Sequence, residues 1–198
     1  MNRDMGWGFA SPGRRFAHGL LVAGLTAILA PAALAGTDVT TFHVDAYRTG
    51  WNSSESRLTP REVAGNSFGL LRTLDLDDQV DAQPLVVSDQ PIEGRTSISD
   101  VVYVVTEANS IYAFDTATGE QLLHVNLGEP VPRSLLPGGC LNNGHTIGIA
   151  STPVIDLARE TMYLVAYTLE DGAPVYRIHA LDLRNLHDRI PASIVKSV

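Results

Sequence analysis

Two stretches of this chain carry the same order of short apolar runs, and that repetition constrains the fold more than any other feature. Val101 to Thr106 (VVYVVT) is β-branched and aromatic, and Ile111 to Phe114 (IYAF) follows after Glu107-Ala108-Asn109-Ser110. That break reads as a hairpin turn in which Asn109 can take a positive φ. Asp115 to Gly119 reads as the next turn: Asp115 can bond its own backbone two residues on, and Gly119 supplies a left-handed position. Gln121 to Leu127 (QLLHVNL) continues as a strand. Pro84 to Val87 precedes them all, with its proline where a missing N–H is tolerated. The expectation is four short antiparallel strands in sequence order.

The same order returns downstream. Ala150 to Ile155 matches Asp81 to Val86, Met162 to Val165 matches Val102 to Val105, and Ile178 to Asp182 matches Ile111 to Asp115. The offsets are 69, 60 and 67 residues, so the two units carry insertions of different length. Repetition on this scale points to a propeller or a solenoid. One short helix is expected ahead of the first unit. Thr59 stands at its N-cap, Pro60 at the first helical position and Glu62 three residues after the cap, and Gly65-Asn66 ends it.

Residues 1–35 read as a cleavable signal peptide. Arg14 and Arg15 form a positive n-region, Leu20 to Leu29 an apolar h-region, and Ala33-Leu34-Ala35 places small residues before Gly36. The apolar run is shorter than the roughly 20 residues needed to cross a bilayer. Export to the periplasm or medium is therefore expected, with no stable membrane insertion after cleavage. Cleavage removes Arg3, Arg14, Arg15 and Asp4, which leaves 11 basic and 21 acidic side chains and a net charge of −10. Such a surface repels phosphate backbones, so nucleic acid is excluded as a partner class. The single cysteine, Cys140, cannot form an internal disulfide.

The unit Asp100–Gly128 (DVVYVVTEANSIYAFDTATGEQLLHVNLG) resembles the repeat of pyrroloquinoline-quinone (PQQ) propeller proteins, with its V-Y-V, turn, L-Y-A-L-D and T-G order. Leu58–Leu76 is similar to the segment before the first blade of quinoprotein dehydrogenases, as is His43–Gly50 to their lead-in. Arg48-Thr49-Gly50-Trp51-Asn52 and Asp78 to Pro84 (DQVDAQP) look closer still to uncharacterised exported bacterial members. The resemblance implies an all-β propeller of four-stranded antiparallel blades. About two blades of an incomplete ring are expected here, behind an N-terminal signal helix and the one short helix. The boundaries expected are 1–35 for the signal peptide, 36–80 for the lead-in, 81–133 for blade 1, 134–149 for an inter-blade loop and 150–198 for an unfinished blade 2. Two blades alone would expose sheet edges and an apolar face, which predicts a tendency to aggregate.

The candidate site is the inter-blade loop, where Gly138, Gly139, Gly144 and Gly148 would admit a ligand to the backbone. Cys140, Asn142, Asn143 and His145 are its candidate ligand-binding residues. The same composition also fits a structural connection made of ordinary turns. The loop is similar to one in quinoprotein alcohol dehydrogenases that carries two adjacent cysteines near the quinone. Here Cys140 is followed by Leu141, so that vicinal disulfide cannot form. PQQ with Ca²⁺ is the cofactor that the resemblance implies, and no metal-type histidine spacing, HExxH, G-x-S-x-G or P-loop stands beside it. Asp75, Asp77, Asp78 and Asp81 form an acidic cluster that lacks the glycine and glutamate of an EF-hand and reads as a solvated turn. Trp51 either stacks on a ligand or covers apolar sheet surface. The functional expectation is a binding or scaffold module without chemistry of its own, engaging an unknown protein or small molecule. The alternative is the N-terminal part of a PQQ-dependent alcohol or sugar dehydrogenase.

Overall fold

The computed structural model describes residues 37–66, 68–136 and 144–195, so the expected signal peptide lies outside the described residues. The fold is mostly β. A short helix α1 (Pro60–Val63) is capped by Thr59, whose side chain accepts the Glu62 N–H at 3.2 Å. Two four-stranded antiparallel sheets follow, each a simple meander. The first runs β1 (Leu85–Pro91), β2 (Ile98–Val105), β3 (Ser110–Asp115), β4 (Gln121–Asn126). Two short strands, β5 (Val131–Pro132) and β6 (Thr146–Ile147), pair across the neck of the inter-sheet loop. The second sheet runs β7 (Val154–Asp156), β8 (Thr161–Glu170), β9 (Ala173–Asp182), β10 (Ser193–Ile194). Neither sheet closes on itself.

The repeat seen in the sequence is a repeat of register. Leu85 pairs with Tyr103 and Tyr103 with Ala113 in the first sheet; Val154 pairs with Tyr163 and Tyr163 with Ala180 in the second. Val105–Ile111 and Val165–Ile178 are likewise equivalent pairs. The unequal offsets have a local cause at each step. The long β1–β2 connection gives way to a 3-10 turn at Leu157–Arg159 between β7 and β8, which shortens the spacing. The β8–β9 hairpin is longer than β2–β3 and lengthens it again. Its turn, Asp171-Gly172, has φ of 49° and 79°, the positive pair that matches a two-residue hairpin to strand twist.

Because side chains alternate across a strand, each sheet has two faces. Leu85, Val101, Tyr103, Val105, Ile111 and Ala113 of the first sheet share one core with Ile155, Met162, Leu164, Ala166 and Leu181 of the second. The opposite face of the first sheet, with Val104, Tyr112 and Phe114, is covered by Leu74, Leu76 and Val80 of the lead-in. The start of the lead-in stitches the sheets together: Val39 bridges Val86 in both directions, and Thr40 O accepts Ile155 N–H at 2.8 Å. Trp51, by contrast, lies in the lead-in and is 70% exposed.

Tyr103 is the polar tie inside the shared core. Its hydroxyl donates to Leu183 O at 2.8 Å, and burial pushes its pKa far above the ordinary tyrosine value. Tyr103→Phe leaves the Leu183 carbonyl buried without that donor. The expected cost is about 1–2 kcal/mol, read as a lower urea midpoint with an unchanged slope; an unchanged midpoint would show that the bond does not tie the sheets.

Candidate functional site

A hairpin turn ordinarily lies at the surface, where water completes its backbone hydrogen bonds. The β2–β3 turn does not: Thr106, Glu107 and Asn109 are wholly buried and Ser110 almost so. Four other segments close over it and supply what water would. Glu107 N–H donates to Gln79 O at 2.9 Å, and Asn109 O accepts Leu127 N–H at 2.9 Å. The Asn109 amide donates to Tyr167 O of β8 at 2.9 Å and to Gly128 O at 3.4 Å. Gly148 N–H donates to Glu107 Oε2 at 2.7 Å. Asn109 takes φ of 60°, as its sequence position predicts, and Gly119 takes 75° in the following turn. Gly148 is required by contact: a Cβ there would lie 2.5 Å from Glu107 O and 2.6 Å from Asn109 Oδ1.

Around this corner the lead-in lays down its acidic residues. Asp77 accepts the Thr106 hydroxyl at 2.8 Å and the Ser110 hydroxyl at 2.5 Å. Asp78 accepts the Thr146 hydroxyl at 2.8 Å, which brings the end of the inter-sheet loop onto the cluster. Asp81 accepts the Gln79 side-chain amide. Glu107 faces inward among them, and its Oε1 has no hydrogen-bond partner. Burial raises the Glu107 pKa above its ordinary 4.5, the Gly148 N–H opposes the rise, and the charges of Asp81 and Asp78 add to it. The group therefore favours its neutral form more than a free glutamate does.

His124, on β4, stacks on Tyr112 with ring centroids 4.3 Å apart and places Nε2 3.3 Å from Ser110 Oγ. Histidine beside serine suggests a base and a nucleophile. The surroundings argue otherwise. Ser110 directs its proton to Asp77, its oxygen accepts from the Asn126 amide at 3.0 Å, and it is 1% exposed, so no substrate carbonyl can reach it. In the second sheet His179 Nδ1 lies 2.9 Å from Asp188 Oδ2. His124 finds its partners on the neighbouring strand β3, whereas His179 is paired through Nδ1 with Asp188 of the β9–β10 connection and leaves its buried Nε2 without a hydrogen-bond partner.

Of the loop residues singled out by sequence, Cys140, Asn142 and Asn143 lie outside the described residues. His145 is exposed at the loop's neck, where its carbonyl accepts Arg133 N–H at 3.0 Å. Among the described residues, no group of three or more His, Cys, Asp or Glu side chains stands close enough to hold a metal ion. Of the four candidate residues the described part of the chain includes His145 alone. The sequence reading missed the buried Glu107 and its bonds. The run of four polar residues in Thr106-Glu107-Ala108-Asn109-Ser110 was a signal of a turn, and Gly148 gave no sign of the partner it would meet.

Glutamate 107 gives the corner a pH dependence with a definite sign. A carboxyl whose folded pKa is raised binds its proton more tightly in the native state, so its stabilising contribution is full below pH 4.5 and is lost as pH rises through the folded value. Glu107→Gln removes that loss while keeping an oxygen for Gly148 N–H. Relative to wild type the variant is expected to gain stability as pH rises from 4.5 to the folded value and to keep that gain above it, by about 1.4 kcal/mol for each unit of pKa elevation. A constant difference between the two across that range, in urea titrations, would show that Glu107 is not the titrating group. Comparison with protein-family models, curated proteins and solved structures finds no match to this chain.

Proposed function

We propose that this chain is part of an exported β-propeller of PQQ-like repeats that acts as a binding or scaffold module, with no chemistry of its own. The blade reading draws support from the register: two four-stranded meanders repeat the same cross-strand pairs and share one core face to face. Radial repetition of such sheets is how propellers protect their edges. The observation that carries the functional reading is the state of the polar corner. Asp77, Asp78 and Glu107 each accept a bond that holds one chain segment to another, and Ser110 is closed off between Asp77 and Asn126. Groups held this way fix loops in place. His145, exposed at the neck of the inter-sheet loop, is then part of the surface offered to a protein or small-molecule ligand.

A dehydrogenase differs from a scaffold in a directly measurable way, because the quinone carries the redox chemistry and the protein orients it. The native exported protein, supplied with PQQ and Ca²⁺, is tested in a dye-coupled assay over a series of alcohols and sugars. The expected result is dye reduction no faster than the quinone alone. Substrate-dependent reduction above that blank would overturn the scaffold reading and establish the N-terminal part of a PQQ-dependent dehydrogenase.

A further inference from the structure

The β2–β3 corner holds more hydrogen-bond acceptors than donors. Asp77 takes the hydroxyls of Thr106 and Ser110, and Asp78 takes the Gln79 N–H and the Thr146 hydroxyl. Asp81 Oδ1 takes the Gln79 side-chain amide, and Glu107 Oε2 takes the Gly148 N–H at 2.7 Å. Glu107 Oε1 is left over, on a side chain closed off from water and with no donor near it. The Asp81 carboxyl stands within hydrogen-bonding reach of Glu107. Two ionised carboxylates have nothing to donate to each other, so no bond forms between them until one proton enters.

We propose that Glu107 and Asp81 hold one proton between them, which Glu107 Oε1 donates to the Asp81 carboxylate, and that this bond is a pH-operated fastening of the lead-in to the turn. One proton gives the orphaned oxygen its partner and removes one of two like charges from an enclosed site. Asp81 is well placed for such a role. Gln79 O, two residues before it, accepts the Glu107 N–H at 2.9 Å, and Gln83 N–H, two residues after it, donates to Thr152 Oγ1 at 2.9 Å. The stretch from Gln79 to Gln83 thus runs from the corner to the entry of the second sheet.

Loss of the proton sets a Glu107 charge against Asp81 and Asp78 of the lead-in, and the fastening becomes a repulsion. The other ionisable neighbours do not relieve it. Asp77 is negative and engaged with Thr106 and Ser110, His124 lies beyond Ser110 on β4, and His145 is at the loop's neck. Gly148 brings only its N–H, and β8 the Tyr167 carbonyl. Burial, with the two aspartates adding to it, puts the release above pH 4.5. The inference is independent of any ligand and of the propeller reading.

Carbon-13 NMR of the purified protein, labelled at its glutamate and aspartate carboxyls, tests the pair. The Glu107 carboxyl carbon is expected to titrate above 4.5, and the Asp81 carboxyl carbon to move in the same step, because a coupled pair loses its protons jointly. In Asp81→Asn the Glu107 step is expected to fall by about one pH unit or more. Glu107→Gln keeps a donor toward Asp81 at every pH, so the joint step is expected to vanish. Across that step, the protection factor of the residue-107 amide, whose acceptor is Gln79 O, is expected to fall in wild type and to hold steady in Glu107→Gln. Carbons that titrate in separate steps, or a Glu107 step unmoved by Asp81→Asn, overturn the shared proton. Should Asp81→Asn not fold, an Asp81 carbon that keeps the same step in Glu107→Gln overturns it equally. Protection that falls alike in wild type and Glu107→Gln overturns the fastening.

Discussion

The buried β2–β3 turn is the constraint on which the rest of this structure depends. Its backbone groups lie away from water, so each must find a partner in another segment or cost about 1–3 kcal/mol unmade. The partners come from the lead-in at Gln79, the end of β4 at Leu127, the end of the inter-sheet loop at Gly148 and Ile149, and β8 at Tyr167. No other stretch among the described residues gathers so many remote parts of the chain. Asn109 is suited to this place twice over: it tolerates the left-handed backbone, and its amide reaches both the Tyr167 carbonyl of β8 and the Gly128 carbonyl just past β4.

This arrangement explains why the polar residues cluster where they do. A buried carboxyl beside Asp78 and Asp81 would be costly as a charge, and the Gly148 N–H offsets part of that cost. The glycine is what lets the amide approach so closely. The apolar core then has its register set from the corner outward. Tyr103, two residues before Val105 and on the same face of β2, carries the tie to Leu183 into the middle of the shared core. Glu107 Oε1 and Asn109 Oδ1 stay without hydrogen-bond partners inside the corner, and apolar side chains stay exposed outside it. Among the exposed apolar side chains are Val154, Tyr163 and Ile178 of the second sheet and Phe68, Leu70 and Leu71 of the lead-in.

Much of the fold was legible because its signals are local. Asn109, Asp115 and Gly119 declare turns by their own backbone chemistry, and Thr59-Pro60 declares a helix start; each is found where it was expected. The β-branched and aromatic make-up of VVYVVT, and its echo in Met162 to Val165, marked the central strands for the same reason. The length of β8 and β9 was not read, because Tyr167 to Tyr176 mixes exposed and half-buried positions and the repeat to the shorter first hairpin drew the strand ends inward. The two-residue strands β5 and β6 leave no periodic trace at all. At the site, the acidic cluster was visible, but its character as a set of fastenings was not. Burial of Glu107 is decided by segments 28 residues before it and 41 after it, at Gln79 and Gly148, and no window of sequence contains all three.

Residue-resolved amide hydrogen exchange tests the central role of the corner most directly. If the turn is the interlock, the amides of Glu107, Asn109, Leu127 and Gly148 exchange at the rate of the slowest amides in β2, β3 and β8, through one shared opening whose free energy is that of global unfolding. Exchange of those four amides as fast as an exposed loop, while the strands stay protected, would contradict the account and leave the sheets held by their apolar faces alone.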